Sequence, residues 1–175
     1  MIIIYIYDIY MVGGGILPVA VYNGKLHFLF GEEADERRWI DFGGGSKPGE
    51  TLLQTVVREC CEELDGFFGT HNEIRKLIRQ NQLLKLQLPT YTSFLVAFPY
   101  DANLPFYFNN HHKFIQTHLP HLVCKKGFFE KRQIKWMTFE EIKQKRPHFR
   151  QYYTPLLDML QEQEAFLLQA LQKHT

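Results

Sequence analysis

Residues 44–66 read GGSKPGETLLQTVVRECCEELDG, and this stretch decides how the chain is put together. A glycine-rich run gives way at Glu50 or Thr51 to a helical pattern that lasts to Leu64. Leu53, Val56, Val57, Cys60 and Leu64 recur at spacings of three and four, which lays one apolar stripe along the helix. On a helical wheel at ~100° per residue, Glu62 falls about 60° to one side of Glu59 and Glu63 about 40° to the other. Three carboxylates therefore share one face, turned away from the stripe that holds the helix down. Like charges at these spacings oppose a helix by about 0.2–0.5 kcal/mol per pair, so the cluster costs on the order of 1 kcal/mol unless a cation joins it. Oxygen ligands in this number suit Mg2+ or Mn2+. Arg58 stands beside them at an offset that reaches Glu50, and the glycines let the loop backbone approach an ion or phosphate.

Upstream, Ile16 to Tyr22 is an apolar run, Asn23-Gly24 is a hairpin signal, and residues 25–30 form the partner strand. Gly13-Gly14-Gly15 is read as a flexible joint, residues 31–38 as a polar loop, and Trp39-Ile40-Asp41-Phe42 as a short strand ending at the glycines. Downstream, Thr70 and Glu73 have capping-box spacing ahead of Ile74, Leu77 and Ile78. Residues 83–88 and 91–98 are predicted strands. A helix is expected over 106–119, inside an aromatic, His-rich insert at 101–126, and another strand lies within 128–137. Thr138 to Glu141 is a second capping box. Pro155 opens a terminal helix striped by Leu156, Leu160, Leu167, Leu168 and Leu171. This order predicts a single α/β domain over residues 1–175, a mixed sheet flanked by helices.

The chain has 175 residues, with 20 Lys+Arg against 19 Asp+Glu, 45% hydrophobic and 15% aromatic. That composition excludes a disordered tail, and the net charge of +1 excludes a surface that grips nucleic acid all over. Three cysteines, two of them adjacent, predict no disulfide framework and a reducing, cytoplasmic setting. Residues 1–8 are apolar but short and lack a basic flank, so neither a membrane span nor a secretory signal is expected. Residues 1–11 are read as an edge strand, or as an extension ahead of a second start at Met11.

The run Gly44-x5-Glu50-x7-Arg58-Glu59-Cys60-x-Glu62-Glu63 resembles the Nudix box, G-x5-E-x7-R-E-U-x-E-E-x-G-U, the signature of the Nudix hydrolases. Trp39 ahead of the box, and Trp136 followed by Glu140-Glu141, extend the likeness over most of the chain. The resemblance implies a Nudix-like α/β/α sandwich with a mixed sheet and a C-terminal helix. It implies attack by water on a diphosphate linkage, with Mg2+ or Mn2+ as cofactor. By position, Glu59, Glu62 and Glu63 are the implied metal ligands, with the Gly44 carbonyl; Glu62, Glu63 and Arg58 also count as catalytic, Arg58 as a structural and electrostatic brace with Glu50. The Phe42-Gly43-Gly44-Gly45 loop and the insert resemble Nudix proteins of large DNA viruses, where decapping of mRNA is a known role. Two departures stand out. Cys60 replaces a bulky aliphatic residue, a mild change because buried cysteine packs as a small hydrophobe. Asp65 replaces the box glycine, and Gly66 comes one place late.

Water attack needs a general base. Glu130, six residues before Trp136, is the candidate. Arg37 and Arg38 are expected to bind substrate phosphates, because guanidinium suits bidentate phosphate contacts. Gly45 offers its backbone, and Phe42 is assigned to stack on a base; Phe28, Trp39 and Phe94 are read first as core residues, with stacking as the alternative. Lys125, Lys126, Lys131, Arg132 and Lys135 form one basic run, and Lys143, Lys145, Arg146 and Arg150 another; both are read as solvated faces or, alternatively, as holds for RNA or polyphosphate. His111, His112, His118 and His121 lack the regular pairing of a zinc site. Three readings follow: a pyrophosphohydrolase of nucleoside diphosphate derivatives, a capped-RNA or inositol-pyrophosphate hydrolase, and a catalytically silent nucleotide sensor. The partner in each is a nucleotide or other diphosphate-containing molecule, and no membrane. The terminal helix suits packing on its own domain or on a second copy.

Overall fold

The computed structural model describes residues 12–123, 127 and 129–172. The expected N-terminal strand, Cys124, Lys125 and Lys126 lie outside the described residues. The chain runs β1 (Gly13–Tyr22), β2 (Lys25–Glu33), β3 (Trp39–Ile40), β4 (Phe42–Gly45), α1 (Leu52–Glu63), α2 (His71–Asn81), β5 (Gln82–Gln87), β6 (Tyr91–Ala97), α3 (Asn103–His118), β7 (Lys131–Met137), α4 (Phe139–Lys145), α5 (Thr154–Glu162) and α6 (Glu164–Gln172).

Strand β1 is the hub. It pairs in parallel with β6 along one edge, and on its other edge it pairs antiparallel with β4 at its start and β2 at its end. Strand β2 continues past β1 to pair with β3, and carries β7 on its opposite edge. Successive side chains alternate faces. Ile16, Ala20, Phe94 and Val96 meet Val56, Val57, Cys60, Ile74 and Ile78 of α1 and α2, and Phe108 of α3. Leu17, Val19, Leu95 and Ala97 meet Ile142, Leu156, Leu157, Leu160, Leu167 and Leu171 of α4, α5 and α6. The result is the expected α/β/α sandwich with a mixed sheet. Among the described residues, no helix is long and apolar enough to cross a membrane.

Three expectations need correction. Gly13-Gly14-Gly15 is not a joint but the buried start of β1, registered against Gly45, Gly44 and Gly43 of β4. A Cβ on Gly14 would stand 2.7 Å from Leu52 Cδ1 and 3.0 Å from Val56 Cγ2, so the helix presses directly on bare backbone. Phe42 is fully buried with Ile16 and Val56 and presents no face to a ligand, whereas Phe28, Trp39 and Phe94 are core residues, as strand aromatics are expected to be. The terminal helix is two helices, broken at Gln163, which turns Leu167 and Leu171 back onto the sheet.

Asp41 is a buried charge between β3 and β4. It accepts hydrogen bonds from Tyr91 (2.6 Å) and Ser93 (2.5 Å), and Ser93 also contacts the Tyr153 hydroxyl. Burial pushes its carboxyl up to about 6, against the pull of those hydroxyls.

Two outcomes follow from this packing. A Cβ at Gly43 would collide with the Gly15 backbone, which cannot give way. Gly43→Ala is therefore expected to lower the unfolding free energy by about 1–3 kcal/mol in urea titrations, and a loss below about 0.5 kcal/mol would contradict the close approach. For Asp41, the folded state binds the proton more tightly than the unfolded chain. Its contribution to stability is complete below pH 3.8 and is lost as pH rises to about 6. The stability difference between wild type and Asp41→Asn should fall by on the order of 3 kcal/mol from pH 4 to pH 7. A flat difference would show that Asp41 is not titrating in the core.

Candidate active site

Helix α1 starts where Thr51 caps it. The threonine hydroxyl accepts the Gln54 N–H, and the Gln54 side chain accepts the Thr51 N–H in return. Val56, Val57 and Cys60 then bury one face against the sheet, which fixes the rotation of the helix. That rotation swings Glu59, Glu62 and Glu63 towards the paired glycines. The acidic face is therefore partly covered, with Glu59 and Glu62 half-buried and Glu63 buried. Glu63 is 4% exposed; its Oε2 accepts the Gly43 N–H at 2.7 Å, and its Oε1 lies 2.8 Å from Lys131 Nζ. Lys131 is itself fully buried, and its ammonium has no hydrogen bond of good angle among the described residues. The two charges compensate each other by proximity. Lys131 thus leaves the solvated basic run to which it was assigned.

Arg58 holds the rest together. Its Nε and Nη2 donate to Glu50 at 2.7 and 3.0 Å, and Nη1 to Glu59 at 2.6 Å and Glu62 at 3.1 Å. Nη2 also donates to the Gly45 carbonyl at 3.1 Å, tying the helix to the end of β4. The Arg58 guanidinium draws the Glu50 carboxyl down to about 2, helped by the Lys47 N–H. At Gly44 a Cβ would stand 2.6 Å from Glu59 Oε1, so that carboxylate lies directly against bare backbone.

Glu130 arrives at the same groove from the segment before β7, although it is 67 to 71 positions away from the helix carboxylates in sequence. Burial pushes Glu59, Glu63 and Glu130 above the usual carboxylate range, against the pull of Arg58 on Glu59 and of Lys131 on the other two. Glu130 further repels Glu59 and Glu63, and Glu62 repels Glu130. Gly127 closes the groove over Glu62, where a Cβ would come within 3.0 Å of Oε2.

The structure thus brings together Gly44, Arg58, Glu59, Glu62, Glu63 and Glu130 on one groove. Gly45 is at its edge through the contact with Arg58. Arg37 is exposed, in a left-handed conformation (φ 57°), and does not line it. Arg38 donates to the Pro147 carbonyl and lines a neighbouring groove, which shares Arg150 and Tyr152 with the first. Sequence reasoning missed Glu33, Lys47 and Tyr152, and it left Arg150 among solvated cations. Arg150 is instead locked to Glu33 and Glu36, contacts that span more than a hundred residues and leave no local trace.

Among the described residues, no three acidic, His or Cys side chains are gathered closely enough to hold an ion as they stand. The cause is that internal cations hold them: Arg58 takes Glu59 and Glu62, and Lys131 takes Glu63. The donor set itself, four carboxylates beside open glycine backbone, is the kind that hard divalent cations accept.

The buried pair yields a direct test. Removing the ammonium leaves Glu63 buried without its counter-charge, and its carboxyl, already pushed up to about 8 by burial, then takes a proton, so Lys131→Met should destabilise the metal-free protein by about 1–3 kcal/mol in denaturant titrations. Adding Glu63→Gln to it should recover most of that loss. A single variant within about 0.5 kcal/mol of wild type would show that the pair contributes nothing.

No family model matches the chain, and no curated protein does. Solved structures do. A C. elegans Ap4A hydrolase in a binary complex is 19% identical, with 89% of this chain and 97% of that one covered and a TM-score of 0.53. The NUDIX domain of Shewanella oneidensis NrtR, complexed with ADP ribose, is 13% identical over 90% of each chain, also at 0.53. At such identities the likeness speaks for architecture, and with the topology above it shows that this chain carries the Nudix fold.

Proposed function

We propose that the chain is a divalent-metal-dependent hydrolase that cleaves the diphosphate linkage of a nucleoside diphosphate derivative by attack of water on phosphorus. The observation that carries this reading is the convergence of Glu59, Glu62, Glu63 and Glu130 on one groove floored by glycine backbone. Crowding four carboxylates that repel one another, one of them buried and the others partly so, is costly, and a chain selected for stability alone would not keep them.

Glu59, Glu62 and Glu63, with the Gly44 carbonyl, are the residues that would hold Mg2+ or Mn2+. When bound, the ion neutralises phosphate charge and lowers the pKa of water. The chain's own residues do the remainder. Arg58, anchored on Glu50, holds Glu59 and Glu62 in place and so acts as a positioning residue. Glu130, with its raised proton affinity, is suited to take a proton from the attacking water. Tyr152, half exposed at the groove edge, offers a ring face to a base. The two proteins of like fold named above are an Ap4A hydrolase and a domain holding ADP ribose, which supports a nucleotide substrate for this chain.

Ion pairing weighs against capped RNA or an inositol pyrophosphate, which would need free cations. Of the described cations in the two basic runs, Lys131, Arg132, Lys135, Arg146 and Arg150 are paired with acids and Lys145 sits over the Trp39 ring. A silent sensor is disfavoured because every box glutamate is present. Cys60 and Cys61 are both free thiols, which suits a reducing compartment.

The test is a hydrolysis panel with Mg2+ or Mn2+ over nucleoside triphosphates, dinucleoside polyphosphates, nucleotide sugars, ADP-ribose, capped RNA and inositol pyrophosphates. We expect turnover of a nucleoside diphosphate derivative, abolished by chelation. Glu59→Gln and Glu63→Gln should lower it by orders of magnitude, and Glu130→Gln by roughly 10²–10⁴. Wild-type rates in all three would defeat the assignment; turnover of capped RNA alone would select decapping.

A further inference from the structure

The residue that departs from the box pattern, Asp65, ends α1 in a left-handed conformation (φ 47°), followed by Gly66 at φ 76°. A side chain in that region is sterically disfavoured, and glycine would be at ease there. The aspartate is put to use. Its Oδ1 accepts the N–H of Phe129 at 2.9 Å, a contact between residues 64 positions apart. Phe129 is itself left-handed (φ 58°), an outlier for a bulky aromatic residue. Its carbonyl lies 3.2 Å from Nε2 of His112, on α3 of the insert, and the histidine is 2% exposed. A ring nitrogen facing a carbonyl must donate, which fixes the tautomer. The next residue is Glu130, whose carbonyl accepts the Ala34 N–H at 2.7 Å. A second contact ties the same helix to the strand that follows: Asn109 accepts the Ile134 N–H and donates to its carbonyl.

Phe129 is therefore gripped at both ends, its N–H from the exit of α1 and its C=O from the insert helix. Strained backbone persists only where its surroundings over-determine it, and such strain gathers at functional sites. We propose that Asp65 and His112 are positioning residues that together clamp the left-handed turn at Phe129 and thereby aim Glu130 into the carboxylate groove. This rests on the catalytic reading of Glu130 given above. It also gives the insert a role: α3 supplies the second jaw of the clamp.

The decisive variant is Asp65→Gly, which restores the box residue. If Asp65 merely ended the helix, glycine there would be neutral or stabilising. The clamp requires a loss. With Mg2+ and Ap4A or ADP-ribose, we expect kcat to fall ten- to a hundredfold with KM within about twofold, because a small misplacement of a reacting group is enough. Asp65→Asn keeps an oxygen acceptor and should retain most of the wild-type kcat. His112→Phe should mimic Asp65→Gly, and His112→Gln, which keeps a donor, should be milder. The double variant Asp65→Gly/His112→Phe should lose little more than either single one.

Hydrogen exchange provides a readout that needs no substrate. The Phe129 amide should exchange faster in Asp65→Gly than in wild type or Asp65→Asn. Unchanged exchange would overturn the clamp. Faster exchange with full kcat, in a protein that Glu130→Gln cripples, would also overturn it. Faster exchange with full kcat in both Asp65→Gly and Glu130→Gln would leave the clamp standing and sink the catalytic reading of Glu130.

Discussion

Everything in the site depends on how closely helix α1 lies on the paired glycines of β1 and β4. With no side chains between them, Leu52 and Val56 rest on Gly14, Glu59 fills the space at Gly44, and Glu63 reaches the Gly43 N–H. A Cβ at Gly14 would press on Leu52 and Val56 and push against the helix that carries three carboxylates. The same contact explains why glycine occurs in two triplets rather than singly. Each strand needs bare backbone where it faces the other and where it faces the helix. A ladder of this kind has low intrinsic strand preference, so β1 and β4 persist through their neighbours: β6 pairs along the whole buried start of β1.

Electrostatics work against this arrangement and are offset from within. Glu50, Glu59, Glu62, Glu63 and Glu130 crowd one region, and among the described residues Arg58 and Lys131 form ion pairs with four of them. Arg58 does so with a planar fork that reaches three carboxylates and a carbonyl at once, a task lysine's point charge could not perform. Lys131 does so from full burial, where a paired charge is strong but offers little net stability. This region departs from ordinary rules of burial while its surroundings obey them, which supports the proposed site.

Around this centre the molecule separates two jobs. One layer of helices, α1 and α2 with α3, carries and braces the acidic groove. The other, α4 to α6, closes the opposite face of the sheet with leucines, and the segment between α4 and α5 sends Arg150 and Tyr152 back to the groove edge. Arg150 is tied there by Glu33 and Glu36, so the edge is built from ion pairs rather than from loose cations.

Local signals made much of this legible in advance. Thr70 with Glu73 and Thr138 with Glu141 announce helices because a capping box is complete within four residues, and Asn23-Gly24 announces its hairpin for the same reason. The wheel positions of Glu59, Glu62 and Glu63 follow from helical geometry alone. The errors share one cause, which is that burial is decided by partners remote in the chain. The glycine triplets looked like loops because glycine has no local preference for a strand. Lys131 looked solvated until β7 was laid beside β2 and Glu63 stood opposite. Phe42 looked available until β4 joined β1. By itself, then, the sequence determined the capped helices, the hairpin and the identity of the acidic cluster, since these depend on residues a few places apart. Only the tertiary structure decided which charges are buried, which cation answers which carboxylate, and that Glu130 joins them, because those facts depend on strands brought together across a hundred residues.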